Sequence, residues 1–238
     1  MNDVHSPGAR GGNWPRAVLF DLDGTLVHSA PDIATSLNLL GIEEGWRDFP
    51  LEEVQRMVGG GVPKLIERTL TAMGSPIAER DISILAERFV EIYATRATDK
   101  TRLYPGAREL LDDLTVAGVR LGLCTNKPEA ITRDILAALG VDHRFGAVVG
   151  GDSGFPKKPD PASMRATLGL LGIAPEHAVM IGDSGADAHA ARAAGLALIL
   201  VTYGYTQTPV IDLDADALID GLAEVPAALR QLSRAAAS

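Results

Sequence analysis

Two acidic residues separated by one position follow a short apolar run near the start of the chain. The apolar run covers residues 17–20, and the next five residues are Asp21-Leu22-Asp23-Gly24-Thr25. Side chains two positions apart in an extended chain point to the same side, so both carboxylates can face one pocket. One could attack as a nucleophile or hold a hard cation while the other moves a proton. The alternative is an acidic strand-to-turn junction, because Asp and Gly also favour turns.

Apolar runs predict the strands that position these acids. The runs are nearly continuously apolar, as in a parallel sheet covered on both faces, and they cover residues 17–20, 119–124, 147–149, 178–182 and 197–202. Helical apolar spacing between the later runs predicts helices over 106–117, 129–139, 161–171 and 185–194. This alternation of strand and helix predicts an α/β core with a Rossmann-like, doubly wound parallel sheet.

The interval after the first strand interrupts this alternation. It has helical periodicity at 31–40, 51–57, 62–73 and 81–95, without a convincing strand. We therefore predict a small helical cap domain over residues 30–99, inserted into a catalytic core formed by 16–29 and 100–238. Residues 1–15 are rich in Gly, Pro and polar residues and are predicted to be a disordered tail.

Composition excludes several classes of protein. The formal net charge of −9, with no Lys/Arg stripe to offset it, argues against nucleic-acid binding. No apolar stretch approaches the ~20 residues that span a bilayer, and no basic and apolar leader is present, so we expect a cytoplasmic protein without membrane association. The single cysteine, Cys124, lies in an apolar run and is predicted to be core. Either a monomer or a homodimer is compatible with these features.

Polar side chains follow other strands of the predicted sheet. Three segments are involved: Thr125-Asn126-Lys127-Pro128, Lys157-Lys158-Pro159-Asp160-Pro161 and Gly182-Asp183-Ser184-Gly185-Ala186-Asp187. Parallel sheets bind ligands beyond the carboxyl ends of their strands, so these groups are predicted to meet at one edge. Each also has a structural alternative. Thr125 could cap a helix, Lys158 could be a surface lysine, and Asp183 with Asp187 could be first-turn acids. Lys127 and Lys157 are interpreted as solvated neighbours.

Together the four segments resemble the haloacid dehalogenase superfamily of phosphotransferases, whose motifs occur in the same order. Asp21-Leu22-Asp23-Gly24-Thr25 resembles the first motif, and Thr125 the second. Lys158 corresponds to the third, and Asp183 with Asp187 to the fourth. The resemblance spans nearly the whole chain and implies Mg²⁺-dependent phosphoryl transfer.

The resemblance also implies a role for each residue. Asp21 would attack phosphorus, and Asp23 would act as the acid and base. Lys158 and Thr125 would stabilise the transferring oxygens. The implied metal ligands are the Asp21 and Asp183 carboxylates and the Asp23 carbonyl, with Asp187 nearby.

Four further segments resemble the phosphoglycolate phosphatase branch of that superfamily. They are Val58-Gly59-Gly60-Gly61-Val62, Asn126-Lys127-Pro128, Gly150-Gly151-Asp152 and Thr202-Tyr203-Gly204-Tyr205. This resemblance implies hydrolysis of 2-phosphoglycolate. Asp23 argues against the dehalogenase branch, which differs at the second acid and needs no metal. His28 departs from the branch, whose members usually carry Asp there, and we expect it to alter hinge contacts rather than chemistry.

The same resemblance implies which residues contact the small phosphorylated metabolite. Thr125, Asn126 and Lys158 would bind it from the core. Gly59, Gly60 and Gly61 would let backbone amides approach it, with Arg56, Lys64 or Arg68 near its carboxylate. A flexible break between two helices is the alternative for the glycines.

Other functions are also compatible with these residues. A related phosphatase could act on N-acetylmuramate 6-phosphate, pyrophosphate or a sugar phosphate, and a phosphosugar mutase would use the same aspartyl-phosphate. A binding module without catalysis is a further alternative, which the intact set of motif residues disfavours.

Overall fold

The computed structural model of the protein describes residues 14–74, 79–206 and 208–235. The strands in these ranges are β1 Ala17–Phe20, β2 Val27–His28, β3 Arg102–Leu103, β4 Arg120–Cys124, β5 Phe145–Val149, β6 Ala178–Gly182, β7 Ala197–Val201 and β8 Ala217–Ile219. The α-helices are α1 Ala30–Glu44, α2 Leu51–Met57, α3 Val62–Ala72, α4 Glu79–Ala94, α5 Ala107–Val116, α6 Glu129–Ala138, α7 Ala162–Leu171, α8 Gly185–Ala194 and α9 Val225–Ala235.

Six strands form one parallel sheet in the order β5-β4-β1-β6-β7-β8. Because β1 lies between β4 and β6, the strand order changes direction there. The carboxyl ends of these three strands border the crevice in which open α/β sheets bind ligands. The predicted doubly wound α/β fold is confirmed.

Both faces of the sheet are covered, which explains the continuous apolar runs. Successive residues of a strand point to opposite faces. In β1, Val18 and Phe20 join the apolar cluster that includes side chains of α5, α6 and α9. Ala17 and Leu19 join a second cluster with side chains of α7 and α8. All four side chains are 0% exposed, so no position of this strand requires a polar residue.

In the part of the chain that the structure describes, four helices lie between β2 and β3, and we call α1 to α4, residues 30–94, the helical segment. The two flanking strands pair antiparallel with each other, Val27 opposite Leu103 and His28 opposite Arg102. This ribbon brings both ends of the helical segment to one place beside the sheet. The helical periodicity predicted all four helices. The division of the chain into a core and an inserted cap domain stays a prediction.

The start and end of the chain differ from the sequence-based predictions in part. Residues 1–13 of the predicted tail lie outside the described residues. Trp14 is only 9% exposed, and its Nε1 donates to the carbonyl of Glu176 at 3.1 Å, so ordered packing begins before residue 16. Strand β8 and helix α9 were not predicted. Within the described ranges, no helix is long and apolar enough to cross a bilayer.

Candidate active site

Asp21 lies directly after β1 at the carboxyl edge of the sheet. Its backbone N–H donates to the carbonyl of Ile181 in the neighbouring strand β6 at 2.9 Å, which fixes where the side chain begins. Its Oδ1 accepts a hydrogen bond from Lys158 Nζ at 2.9 Å. Burial raises the pKa of Asp21 to about 6, against the opposing effect of the Lys158 charge. The carboxylate is therefore held in one orientation in a weakly solvated place.

Lys158 is a buried cation between carboxylates, and the alternative of a surface lysine is wrong. Its side chain is 2% exposed. Its Nζ donates to Asp21 Oδ1 at 2.9 Å, to Asp187 Oδ1 at 2.6 Å and to the carbonyl of Cys124 at 2.7 Å. Burial acts to lower the pKa of Lys158, but the two carboxylates outweigh it and raise the pKa. All three ammonium donors are satisfied, so the charge stays at this position.

Asn126 holds the backbone of Lys158 in place. Its Nδ2 donates to the Lys158 carbonyl at 2.9 Å, and its Oδ1 accepts from the Lys158 N–H at 2.9 Å. From the sequence we expect Asn126 to contact substrate, and it does line the cavity at this edge of the sheet. Its two bonds to the Lys158 backbone also position that lysine.

Asp183 and Asp187 flank the junction between β6 and α8. Asp187 is 0% exposed, and its Oδ2 accepts from Ser184 Oγ at 2.7 Å, so it also ties the start of α8. Asp183 Oδ2 accepts from the N–H of Tyr205 at 2.6 Å. Burial raises the pKa of Asp183 well above its usual range, and the charges of Asp187 and Asp21 raise it further. Asp187 therefore stabilises the first turn of α8 and also belongs to the buried group of charges around Lys158.

Two glycines leave room for the Asp183 carboxylate. A Cβ on Gly24 would lie 2.3 Å from Asp183 Oδ2, and one on Gly204 would lie 2.2 Å from Asp183 Cβ. Both distances are shorter than a Cβ atom tolerates to a non-bonded atom. Gly24 also has a φ of +85°, which favours glycine. The glycine of the first motif therefore serves both the turn and the packing of an acid from the fourth motif.

The buried acids have a donor set that fits a hard divalent cation. One carboxylate oxygen from each of Asp21, Asp183 and Asp187 lies within 4.8 Å of the others, and all three residues are buried. One ammonium, Lys158, faces three carboxylates. Burial raises the pKa of Asp21 and of Asp183, and the charges of the neighbouring carboxylates raise both further. Oxygen donors of this kind suit Mg²⁺, and a divalent cation would offset the charge.

Asp23 lies outside this cluster and has separate partners. Its Oδ1 accepts from Ser29 Oγ at 2.5 Å, and both of its oxygens accept from Lys127 Nζ at 2.9 Å. The side chain of Asp23 is 14% exposed, whereas that of Lys127 is 4% exposed. The two acids of the first motif therefore occupy different electrostatic environments although they are two residues apart.

The interpretation of Lys127 as a solvated neighbour is wrong. Its Nζ lies 4.5 Å from the centre of the Tyr93 ring on α4, which covers it. Burial acts to lower the pKa of Lys127, but the Asp23 carboxylate outweighs it and raises the pKa. A signal for its importance was present, because Lys127 follows a strand end within two residues of Thr125.

A small cavity of about 70 Å³ lies between the sheet edge and the helical segment. Asp21, Asp23, Thr125 and Lys158 line it from the core, and Thr125 is nearly fully buried. The side chains that line it from the helical segment are mainly apolar: Ile33, Val58, Val62, Leu65, Phe89 and Tyr93. Polar residues from all four motifs therefore open into one small space with an apolar wall, although Asp187 does not line it.

Residues 59–61 line this cavity between α2 and α3. All three glycines have positive φ, between 86° and 117°, so the loop has a conformation that favours glycine throughout. A Cβ on Gly61 would lie 3.1 Å from the carbonyl of Asn126, which shows a close approach of the helical segment to the core.

The three cations expected near a substrate carboxylate do not line the cavity. Arg68 donates to the carbonyls of Met57 and Val58 at 2.8 and 3.1 Å and so holds the end of α2. Lys64 pairs with Glu67 at 2.8 Å on the surface of α3. Arg56 is exposed. Within the described ranges, the lining of this cavity includes none of the three.

His28 lies in β2, immediately before the helical segment. Its Nδ1 is 2.7 Å from the Tyr205 hydroxyl, and its ring centre is 5.9 Å from that of Tyr104. Burial lowers the pKa of His28. The residue that departs from the family pattern therefore contacts Tyr104, directly after β3, and the loop after β7, and it does not line the cavity.

Comparison with known proteins identifies the family of the chain. A family model described as haloacid dehalogenase-like hydrolase matches residues 15–195. A phosphoglycolate phosphatase from Cereibacter sphaeroides is 45% identical over 216 residues, which cover 90% of this chain and 98% of that protein. A phosphoglycolate phosphatase from Caulobacter vibrioides is 40% identical over 89% of each chain.

Solved structures agree in fold. The crystal structure of a predicted phosphoglycolate phosphatase from Haemophilus somnus aligns with a TM-score of 0.83 and 32% identity, over 89% of this chain and 96% of that chain. That of CbbY from Rhodobacter sphaeroides in complex with phosphate aligns with a TM-score of 0.73 and 29% identity, over 90% and 99% of the two chains. The chain belongs to the haloacid dehalogenase-like hydrolase family, and these curated relatives within it are phosphoglycolate phosphatases.

Proposed function

We propose that the protein is a Mg²⁺-dependent phosphatase that hydrolyses 2-phosphoglycolate to glycolate and phosphate. The observation that carries the proposal is the pair of acids after β1. Asp21 belongs to a buried cluster with Lys158, while Asp23 is partly exposed and bound by Lys127 and Ser29. Two carboxylates in different environments at one cavity are suited to different roles in one reaction.

The proposed reaction has two steps. The Asp21 carboxylate attacks phosphorus, the bond from phosphorus to the ester oxygen breaks, and Asp23 donates a proton to the departing alkoxide. Water then attacks the aspartyl-phosphate while Asp23 takes its proton, which releases phosphate and restores both acids. Lys158 and the Thr125 hydroxyl stabilise negative charge on the transferring oxygens.

The proposed metal ligands are the Asp21 and Asp183 carboxylates and the Asp23 carbonyl, with Asp187 nearby. When bound, Mg²⁺ supplies positive charge that offsets repulsion between the nucleophile and the phosphate. Asp187 Oδ1 accepts from Lys158 and its Oδ2 from Ser184, so its main task in this proposal is to orient Lys158.

The proposed substrate is a small cytoplasmic metabolite. A cavity of about 70 Å³ with an apolar wall suits a compact phosphomonoester. The curated relatives named as phosphoglycolate phosphatases support 2-phosphoglycolate in particular. In this proposal the backbone amides of Gly59, Gly60 and Gly61 approach the substrate from the helical segment.

A phosphate-release screen tests this proposal. The panel contains 2-phosphoglycolate, N-acetylmuramate 6-phosphate, pyrophosphate and hexose phosphates. We expect the highest kcat/KM for 2-phosphoglycolate. We also expect EDTA treatment to abolish turnover and added Mg²⁺ to restore it, because three buried carboxylates otherwise repel the substrate phosphate. A higher kcat/KM for another panel member would make the substrate assignment wrong. Activity that requires a sugar bisphosphate would favour a mutase, and full turnover without metal would exclude the proposed chemistry.

A further inference from the structure

Lys127 is the second cation of the cavity, and its one carboxylate partner is Asp23. Among the described residues that line the cavity, the positively charged side chains are Lys127 and Lys158. Lys158 already donates to two carboxylates and a carbonyl, and the proposed reaction brings the phosphate to it. A substrate such as 2-phosphoglycolate carries a carboxylate as well as a phosphate. That carboxylate requires a compensating group in a place of low polarity.

Among its described side chains, the helical segment supplies no such charge to the cavity. It presents apolar side chains such as Ile33, Leu65 and Phe89 to the cavity. Its Arg68 is bound to the carbonyls of Met57 and Val58, outside the lining. Backbone amides of the glycine loop can donate hydrogen bonds but carry no net charge.

The position of Lys127 matches the chemistry of the substrate. In the proposed reaction Asp23 meets the ester oxygen, and in 2-phosphoglycolate one CH₂ group separates that oxygen from the carboxylate carbon. Lys127 Nζ is 2.9 Å from both Asp23 oxygens, so a carboxylate attached this way comes within reach of the ammonium. The Tyr93 ring lies over Lys127 and excludes water from that side, which strengthens the attraction.

We propose that Lys127 is a specificity-determining residue that binds the carboxylate of the substrate. The inference rests on the proposed function and deepens it, because it says why a phosphomonoester with an adjacent carboxylate is preferred over an uncharged one of equal size. It also replaces the earlier expectation that Arg56, Lys64 or Arg68 contacts this carboxylate.

Binding of two phosphonates tests the inference without turnover. 3-Phosphonopropionate has the shape and charges of 2-phosphoglycolate, and propylphosphonate lacks its carboxylate. Isothermal titration calorimetry with Mg²⁺ present would measure both dissociation constants for the wild type, Lys127→Met and Lys127→Arg. We expect the wild type to prefer 3-phosphonopropionate by about 10- to 100-fold, which is typical of a charge-assisted hydrogen bond. Lys127→Met should reduce this preference to within about 3-fold, and Lys127→Arg should keep most of it.

The outcomes separate the two proposals. A preference that survives in Lys127→Met overturns the role of Lys127 and leaves the proposed substrate standing. An equal weakening of both phosphonates in that variant also overturns it, because Lys127 then acts on the phosphate or on Asp23. Equal binding of both phosphonates by the wild type overturns the proposed substrate and the inference together. Thermal melts verify folding, and Lys127→Gln gives the same comparison where the methionine variant does not fold.

Discussion

Replacement of Asp21 by asparagine is expected to lower phosphate release from 2-phosphoglycolate by about 10⁴-fold or more. An amide is not a nucleophile at phosphorus, whereas its size matches the carboxylate and its oxygen can still accept from Lys158. The measurement is steady-state phosphate release with Mg²⁺ present, at enzyme concentrations high enough to detect residual activity.

The stability of this variant provides its control. Burial raises the pKa of Asp21 to about 6, so the ionised carboxylate destabilises the metal-free fold at neutral pH. Removing the charge should therefore leave the metal-free melting temperature unchanged or higher. Asp113→Asn, an exposed change on α5, should leave turnover at the wild-type level. Turnover by Asp21→Asn within about ten-fold of the wild type would show that another group attacks phosphorus.

Replacement of Lys158 by methionine is expected to abolish activity and to destabilise the fold. Methionine fills a similar volume but leaves Asp21 and Asp187 buried without their shared cation. Loss of one partner from a buried ion pair costs about 3–5 kcal/mol. For a chain of this size, that corresponds to a melting temperature lower by roughly 6–20 °C in metal-free buffer.

The neighbouring lysine offers a matched control for this change. Lys157 is only half buried, so Lys157→Met should change the free energy of unfolding by less than about 1 kcal/mol. Calorimetric melts of both variants and the wild type make the comparison. Equal melting temperatures for Lys158→Met and Lys157→Met would contradict the account of Lys158 as the cation that compensates two buried carboxylates.

The central strands could be predicted from the sequence because parallel strands are covered on both faces. In β1 every position is buried, so the apolar run is continuous. Strands β2, β3 and β8 have two or three residues and include exposed or half-buried positions, so they leave no periodic pattern. Their pairing depends on distant parts of the chain.

Helix α9 is a different case, because its signal was present in the sequence. The buried residues follow the helical spacing i, i+3, i+4 and i+7, and they are Val225, Ala228, Leu229 and Leu232. Recognition of this period would have extended the predicted architecture beyond residue 202.

The candidate site also contains residues that the sequence could predict and residues that it could not. Asp21, Lys158 and Asp183 follow strands or open helices, so topology alone predicts that they meet. The tasks of Lys127 and Asn126 depend on what packs against them. Lys127 is buried because Tyr93, on a helix more than thirty positions earlier in the sequence, lies over it. Such a long-range contact leaves no local pattern.

In the proposed mechanism the phosphoryl group passes through the Asp21 carboxylate while Asp23 moves the protons. Asp23→Asn with p-nitrophenyl phosphate tests it most directly, because a phenolate leaves without a proton donor but water attack still needs a base. The measurement is acid quench after mixing with Mg²⁺ present, followed by mass spectrometry of the peptide that contains Asp21. We expect this peptide to carry one phosphoryl group, and we expect the modification to be absent when Asp21 is also changed to Asn. Release of phosphate with no modification of Asp21 at any time would show that the phosphoryl group does not pass through this carboxylate.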